Sequence, residues 1–142
     1  MVSEVKESHT IANELRPVLL RLARELRREI HSLGVTGGQV SILVTIQRTP
    51  GITASAVAEQ ERISAPAMSN HVARLEKAGL IERTREGLDR RRVELSLTAE
   101  GEKVLRSVRQ KRTAWLAARL DNLTDDDRAL IEKALPALEQ LL

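Results

Sequence analysis

The sequence contains no cysteine among its 142 residues. This absence excludes disulfide bonds, thiolate zinc sites and cysteine-based redox switches, and it suits a reducing compartment. The sequence also lacks an apolar run of transmembrane length, and its N-terminal residues, MVSEVKESHT, lack the apolar core of a signal peptide. We therefore expect a cytoplasmic protein that makes no contact with a membrane.

Aromatic residues are almost as scarce, since the sequence has one tryptophan and neither phenylalanine nor tyrosine. Proteins that bind single-stranded nucleic acid usually stack the bases on aromatic side chains. The composition therefore disfavours single-strand binding.

Motifs that carry chemistry are also lacking. The sequence offers no nucleophile–base pair and no cluster of metal ligands, and Gly37-Gly38 lacks the Lys-Ser/Thr pair that a phosphate-binding loop requires. The triplet Asp125-Asp126-Asp127 suggests a metal site, but at the start of a helix it more simply complements the helix dipole. We therefore expect no enzyme activity, no metal and no cofactor.

The basic residues are concentrated in one stretch of the chain. The formal net charge is +3, and residues 62–92 hold eight basic and four acidic residues, which leaves 15 basic and 16 acidic residues elsewhere. An excess of positive charge confined to one stretch is typical of a face that binds a polyanion, although a solvated basic surface would have the same composition.

Hydrophobic periodicity predicts a mainly α-helical protein with one small β-hairpin. Apolar residues in steps of three and four predict a long amphipathic helix over residues 9–33. Pro17 should kink this helix or mark a restart, and Gly34 supplies its C-terminal stop. A helix of this length with one apolar face needs a partner, which is either another helix of the same chain or a second subunit.

Three more helices are indicated by their N-terminal residues. Thr36 and Gln39 form a capping box before an apolar segment, although its β-branched residues leave a strand as an alternative. Thr98 and Thr124 precede two further segments of helical periodicity near the C-terminus.

Between these segments, the sequence predicts two short helices joined by a tight turn. Thr53 caps a helix that runs to about Glu59, and Ser64 caps a second helix with Pro66 in its first turn and Gly79 at its end. A helix pair of this kind can place its second helix in the major groove of DNA.

The second helix has one small, polar and cationic face. Serine and asparagine can hydrogen-bond to base edges, and a long basic side chain reaches guanine or phosphate. We predict that this helix contacts DNA through Ser64, Pro66, Ala67, Ser69, Asn70, His71, Arg74 and Lys77.

The hairpin predicted after this helix has an arginine-rich tip. Residues 80–85 and 92–97 are expected to pair, with residues 86–91 as the loop between them. Narrow minor grooves attract arginine, so Arg90, Arg91 and Arg92 are predicted to contact DNA. Asp89 is expected to hold one of these arginines in position, because a lone carboxylate would repel phosphate.

A helix pair followed by a cationic hairpin resembles the winged helix-turn-helix. Two motifs make the resemblance more specific: Leu75-Glu76-Lys77-Ala78-Gly79-Leu80, and Asp89 to Gly101, which reads DRRRVELSLTAEG. On these residues the chain is similar to the MarR family of bacterial transcriptional regulators, and the match covers nearly its whole length.

The resemblance implies an obligate homodimer in which the terminal helices interlock and two winged lobes straddle a pseudo-palindromic operator. The expected division is an N-terminal dimerisation helix in residues 1–35, a winged helix-turn-helix lobe in 36–98 and C-terminal dimerisation helices in 99–142. A lobe of about 60 residues could not cover all the apolar surface of these helices. The expected dimerisation residues are Ile11, Leu15, Leu19, Leu22, Trp115, Leu116, Leu120, Leu135, Leu138 and Leu141.

The resemblance further implies a repressor that leaves DNA when a small aromatic or phenolic ligand enters a crevice between the dimer helices and the lobe. His31 is a candidate ligand contact, or simply a residue at a helix end. Two other functions fit the residues: a winged helix that binds acidic protein partners, and an architectural protein that binds DNA without sequence preference.

Overall fold

The computed structural model describes residues 2–85 and 92–142. Its helices are α1 (Val2–Glu29), α2 (Gly37–Arg48), α3 (Ala54–Glu61), α4 (Ala65–Lys77), α5 (Ala99–Asp121) and α6 (Asp125–Glu139), with a 3-10 turn at His31–Leu33. Strands β1 (Ile81–Arg85) and β2 (Val93–Leu97) form an antiparallel hairpin. The predicted class, mainly α with one small hairpin, is confirmed.

The first helix differs from its prediction at both ends. It begins at Val2 because no helix breaker precedes His9, and it continues through Pro17, so the restart, one of the two predicted effects of Pro17, is wrong. It ends at Glu29, and Gly34 then takes a left-handed conformation with φ +76° after the 3-10 turn. The early end allows the fully buried Ile30 to enter the core of the winged lobe.

The segment after Thr36 is a helix, so the strand alternative is wrong. The capping box is complete, because the Gln39 N–H donates to Thr36 Oγ1 at 3.1 Å and the Thr36 N–H donates to Gln39 Oε1 at 3.0 Å. Its β-branched residues are accommodated because Val40 and Ile42 are buried and pack in the core. Tertiary packing here outweighs intrinsic propensity.

The core of the lobe lies between α2, α3, α4, the hairpin and the first half of α5. Polar contacts also join its helices: the Glu61 carboxylate accepts hydrogen bonds from the Ser41 and Thr45 hydroxyls, both at 2.7 Å. The C-terminal end of α3 is thereby attached to α2. The largest side chains that are fully buried belong to Ile30, Ile42, Leu43, Val57, Leu75, Ile81 and Leu95.

The terminal helices leave much of their apolar surface exposed. Helix α6 contains no buried residue, and Ile11 on α1 and Leu135 on α6 are 61% and 50% exposed. Within the described ranges, no helix has both the length and the apolar character needed to cross a bilayer.

Candidate nucleic-acid interface

Helices α3 and α4 form a helix-turn-helix. The Thr53 hydroxyl accepts the Ala56 N–H at 3.2 Å at the start of α3, and the Ser64 hydroxyl accepts the Ala67 N–H at 3.2 Å at the start of α4. Between them, Arg62 has a left-handed backbone with φ +55°, which turns the chain sharply. Both predicted caps are therefore present, and they set where the two helices begin.

Helix α4 packs on the core through one face only. Met68, Val72 and Leu75 are buried, which directs the opposite face to solvent. Six of the eight predicted DNA contacts on or next to this helix are exposed, namely Ser64, Pro66, Ser69, Asn70, Arg74 and Lys77. A polar and cationic surface of this kind fits the edges and phosphates of a DNA groove.

The other two predicted contacts on α4 lie nearer the core. Ala67 and His71 are half-buried, and His71 Nδ1 is shielded from solvent without a hydrogen-bond partner among the described residues. On a helix, His71 is separated by three or four residues from Met68 and Leu75, so it borders the buried stripe. The structure therefore does not place His71 beside Asn70 on the exposed face.

An ion pair that the sequence analysis missed joins α4 to the hairpin. Arg83 Nε on β1 lies 2.9 Å from Glu76 Oε2 on α4, and both side chains are about two-fifths exposed. Arg83 also lines a cavity of about 210 Å³ between α3, α4 and the hairpin. Opposite charges seven residues apart across a helix–strand corner carry no local signal, so only the tertiary fold reveals this contact.

The hairpin is anchored in the lobe from both sides. Its register pairs Ile81 with Leu97 and Arg85 with Val93. On the other side of β2, the Leu95 N–H donates to the Ile52 carbonyl at 2.9 Å. The base of the wing is therefore held against the segment that leads into α3.

Of the residues predicted to act at the tip of the hairpin, the structure describes only Arg92. Asp89, Arg90 and Arg91 lie outside the described residues, and their proposed roles stay predictions. Arg92 is exposed, and its Nε lies 3.5 Å from Glu94 Oε1. Among the described residues, the acidic partner of Arg92 is thus Glu94.

Several cations of this region have no acidic partner among the residues that the structure describes. Arg62, Arg74, Lys77 and Arg85 are exposed and make no ion pair with another described residue. Because these side chains need not break an ion pair, they can meet a polyanion at little cost.

The predicted dimerisation residues differ in their exposure. Ile11, Leu19, Leu22, Leu116, Leu135 and Leu141 are exposed, whereas Leu15, Leu120 and Leu138 are half-buried. Trp115 is buried within one chain, and the Arg119 guanidinium carbon lies 3.7 Å from the centre of its ring. Other exposed apolar residues on these helices are Val18, Leu20, Leu123, Leu130, Ile131 and Leu142.

A helix-turn-helix with an attached hairpin and a cationic exposed face defines a DNA-binding transcriptional regulator of the winged class. Comparison with known proteins agrees, because residues 33–92 match the model of the MarR family. An HTH-type transcriptional regulator of Mycobacterium leprae is 30% identical over 132 residues, which are 93% of this chain and 92% of that protein. The chain belongs to the MarR family, whose members are transcriptional regulators and not enzymes.

Two further proteins illustrate the similarity. The HTH-type transcriptional repressor MdtR of Bacillus subtilis is 30% identical over 113 residues, which are 80% of this chain and 73% of MdtR. A crystal structure of a transcriptional regulator of Pseudomonas aeruginosa superposes with a TM-score of 0.82 at 31% identity, covering 95% of each chain.

Proposed function

We propose that the protein is a homodimeric cytoplasmic repressor that binds a pseudo-palindromic DNA operator and leaves it when a small acidic ligand binds. The observation that carries the DNA-binding part is the exposed face of α4. Ser69 and Asn70 offer hydrogen-bonding groups towards one end of this face, and Arg74 and Lys77 offer positive charge towards the other. The repressor role is proposed because the related MdtR is a transcriptional repressor.

The proposed dimer rests on the apolar surface of the terminal helices. Leu19 and Leu22 are exposed on one stripe of α1, and Leu135 is exposed on α6. Soluble monomers rarely leave large contiguous apolar patches uncovered. A second copy is the partner that fits, because a two-fold axis would bring the same stripes together from both chains. Two recognition helices roughly 34–36 Å apart would then meet successive major grooves on one side of the DNA.

The proposed ligand site lies between α2 and α5. A cavity of about 310 Å³ there is lined by Arg48, Arg109 and Arg112, by Gln47 and Thr113, and by valine and leucine side chains. Arg112 Nε is buried and has no hydrogen-bond partner among the described residues. Three guanidinium groups beside apolar side chains suit a small carboxylate or phenolate with an apolar ring.

A titration of the purified protein tests the proposed DNA recognition. Duplexes from the DNA upstream of its own gene and shuffled duplexes of the same composition would be compared at several salt concentrations by fluorescence anisotropy. We expect a preference of at least about 10³-fold for one upstream site and a steep loss of affinity with salt. Equal affinity for both duplexes would favour an architectural protein, and no binding would favour a protein-interaction module.

Two α4 variants would serve as internal comparisons in this titration. Asn70→Ala should relax the preference for one base pair by about 1–3 kcal/mol, because it removes a base contact. Arg74→Ala should instead weaken binding to specific and shuffled duplexes alike. It should also make the slope of log affinity against log salt concentration shallower by about one, as the loss of a phosphate contact does. If both variants bind like the wild type, the exposed face of α4 is not the DNA-binding surface.

The proposed ligand class is tested with matched acids and amides. Benzoate and hydroxybenzoates at millimolar concentration should raise the Kd for the operator several-fold, whereas benzamide, which has no acidic group, should not. Arg112→Gln should remove the response to the acids without changing DNA binding in their absence. Equal effects of acids and amides, no effect of any acid, or an unchanged response in the variant would contradict the proposed site.

A further inference from the structure

We infer that Thr98 is a positioning residue that fixes the recognition helix α4 to α5, and thereby sets the half-site spacing that the protein accepts. The inference rests on the proposed dimeric binding of a two-part operator. Thr98 lies between β2 and α5, outside the DNA-facing surface of α4 and outside the apolar stripes of the terminal helices.

The Thr98 hydroxyl connects the end of one helix to the start of another. It donates to the Gly79 carbonyl at 2.6 Å, and it accepts the Gly101 N–H at 3.0 Å. Gly79 directly follows the last turn of α4 and has a left-handed backbone with φ +77°. A single side chain therefore caps α5 and binds the backbone at the exit of the recognition helix.

Backbone contacts reinforce this junction. The Thr98 N–H donates to the Leu80 carbonyl at 3.1 Å, and the Leu80 N–H donates to the Leu75 carbonyl, inside α4, at 2.9 Å. Gly101 is buried against the same Leu80 carbonyl, at such short range that a Cβ on Gly101 would lie 2.2 Å from the carbonyl oxygen. The first turn of α5 thus packs directly on the backbone that leaves α4, with no side chain between them.

A stiff junction has a direct consequence for a dimer. If α5 is held by the partner subunit and α4 is held by α5, the two recognition helices keep a fixed distance and angle. A change of one base pair between the half-sites moves them apart by about 3.4 Å and rotates them by roughly 35° about the DNA axis. Lobes that are held rigidly to α5 cannot adjust to this change in spacing. Lobes with a loosened connection to α5 can adjust to it.

The experiment compares Thr98 variants on operators of altered spacing. Thr98→Val removes the hydroxyl and keeps the shape, Thr98→Ser keeps the hydroxyl, and Thr98→Asp keeps a capping acceptor for the Gly101 N–H but cannot donate to Gly79. Each protein would be titrated with the operator found above, with operators one base pair longer and shorter, and with an isolated half-site. Circular dichroism and light scattering would report folding and dimerisation.

We expect the wild type and Thr98→Ser to lose about tenfold or more in affinity for each one-base-pair change. The Kd values of Thr98→Val and Thr98→Asp should differ by less than about threefold across the three spacings. Both variants should bind the isolated half-site as tightly as the wild type does. Thr98→Asp keeps the test valid if Thr98→Val does not fold, because it retains the helix cap.

The outcomes separate this inference from the proposed function. A wild-type protein without site or spacing preference would overturn the two-part operator and, with it, the inference. A steep spacing preference that persists in the folded Thr98→Val and Thr98→Asp variants would overturn the inference alone. So would a loss of affinity of equal size on every spacing and on the isolated half-site, because that pattern indicates a purely structural role.

Discussion

Leu19→Asp is expected to separate the proposed dimer into monomers and to lower affinity for the operator by about 10³-fold. Leu19 lies on α1 in line with Leu15 and Leu22, and its side chain is 45% exposed in one chain. In the dimer, the new carboxylate would be buried without a partner, which costs about 3–5 kcal/mol. Analytical ultracentrifugation and the operator titration measure the two effects.

The adjacent leucine provides a matched control for this substitution. Leu20 is 59% exposed but lies about 100° further around α1, away from the stripe formed by Leu15, Leu19 and Leu22. Leu20→Asp introduces the same charge one residue away, and we expect it to leave the dimer and the DNA affinity unchanged. If Leu19→Asp remains dimeric at micromolar concentration, the proposed interface on α1 is wrong.

Gly101→Ala is expected to lower the free energy of unfolding by about 3 kcal/mol, at the upper end of the usual cost of overpacking. The added Cβ would lie 2.2 Å from the Leu80 carbonyl oxygen, so the backbone must shift. That carbonyl also accepts the Thr98 N–H at 3.1 Å, so a shift would disturb the junction. Urea unfolding followed by circular dichroism measures the change at a fixed protein concentration.

The same substitution at Gly38 should stabilise the protein. Gly38 also lies in the first turn of a helix, and the nearest atom to its added Cβ would be Thr36 Oγ1 at 3.9 Å. Alanine is the better helix former, so Gly38→Ala should raise the free energy of unfolding by about 0.5–1 kcal/mol. A similar loss of stability in both variants would show that the close approach at Gly101 is not its cause.

Local signals in the sequence predicted most of the helices and strands. Thr36, Thr53, Ser64, Thr98 and Thr124 each cap the helix that was expected to follow. Such caps act between residues three apart, so they are visible without knowledge of the fold. The C-terminal end of α1 was missed because it depends on the burial of Ile30 in the core and not on a breaker residue.

The exposed face of α4 was also predictable, because helical periodicity separates buried from exposed positions when both kinds are well spaced. At His71, helical periodicity does not decide whether the side chain is buried or exposed. It lies at the border of the buried stripe, and its exposure depends on which neighbouring elements approach that side of the helix. Trp115 is a second example, since its apolar character did not reveal that its own chain buries it.

The sequence by itself determined the helix pair, the hairpin and the cationic surface of this protein, because capping, periodicity and charge act over a few residues. Only the tertiary structure decided that Arg83 pairs with Glu76 and that Gly101 packs against the Leu80 carbonyl. These contacts join residues that are distant in sequence or separated by a corner of the chain. Their formation depends on how whole elements pack, and short-range patterns do not record that packing.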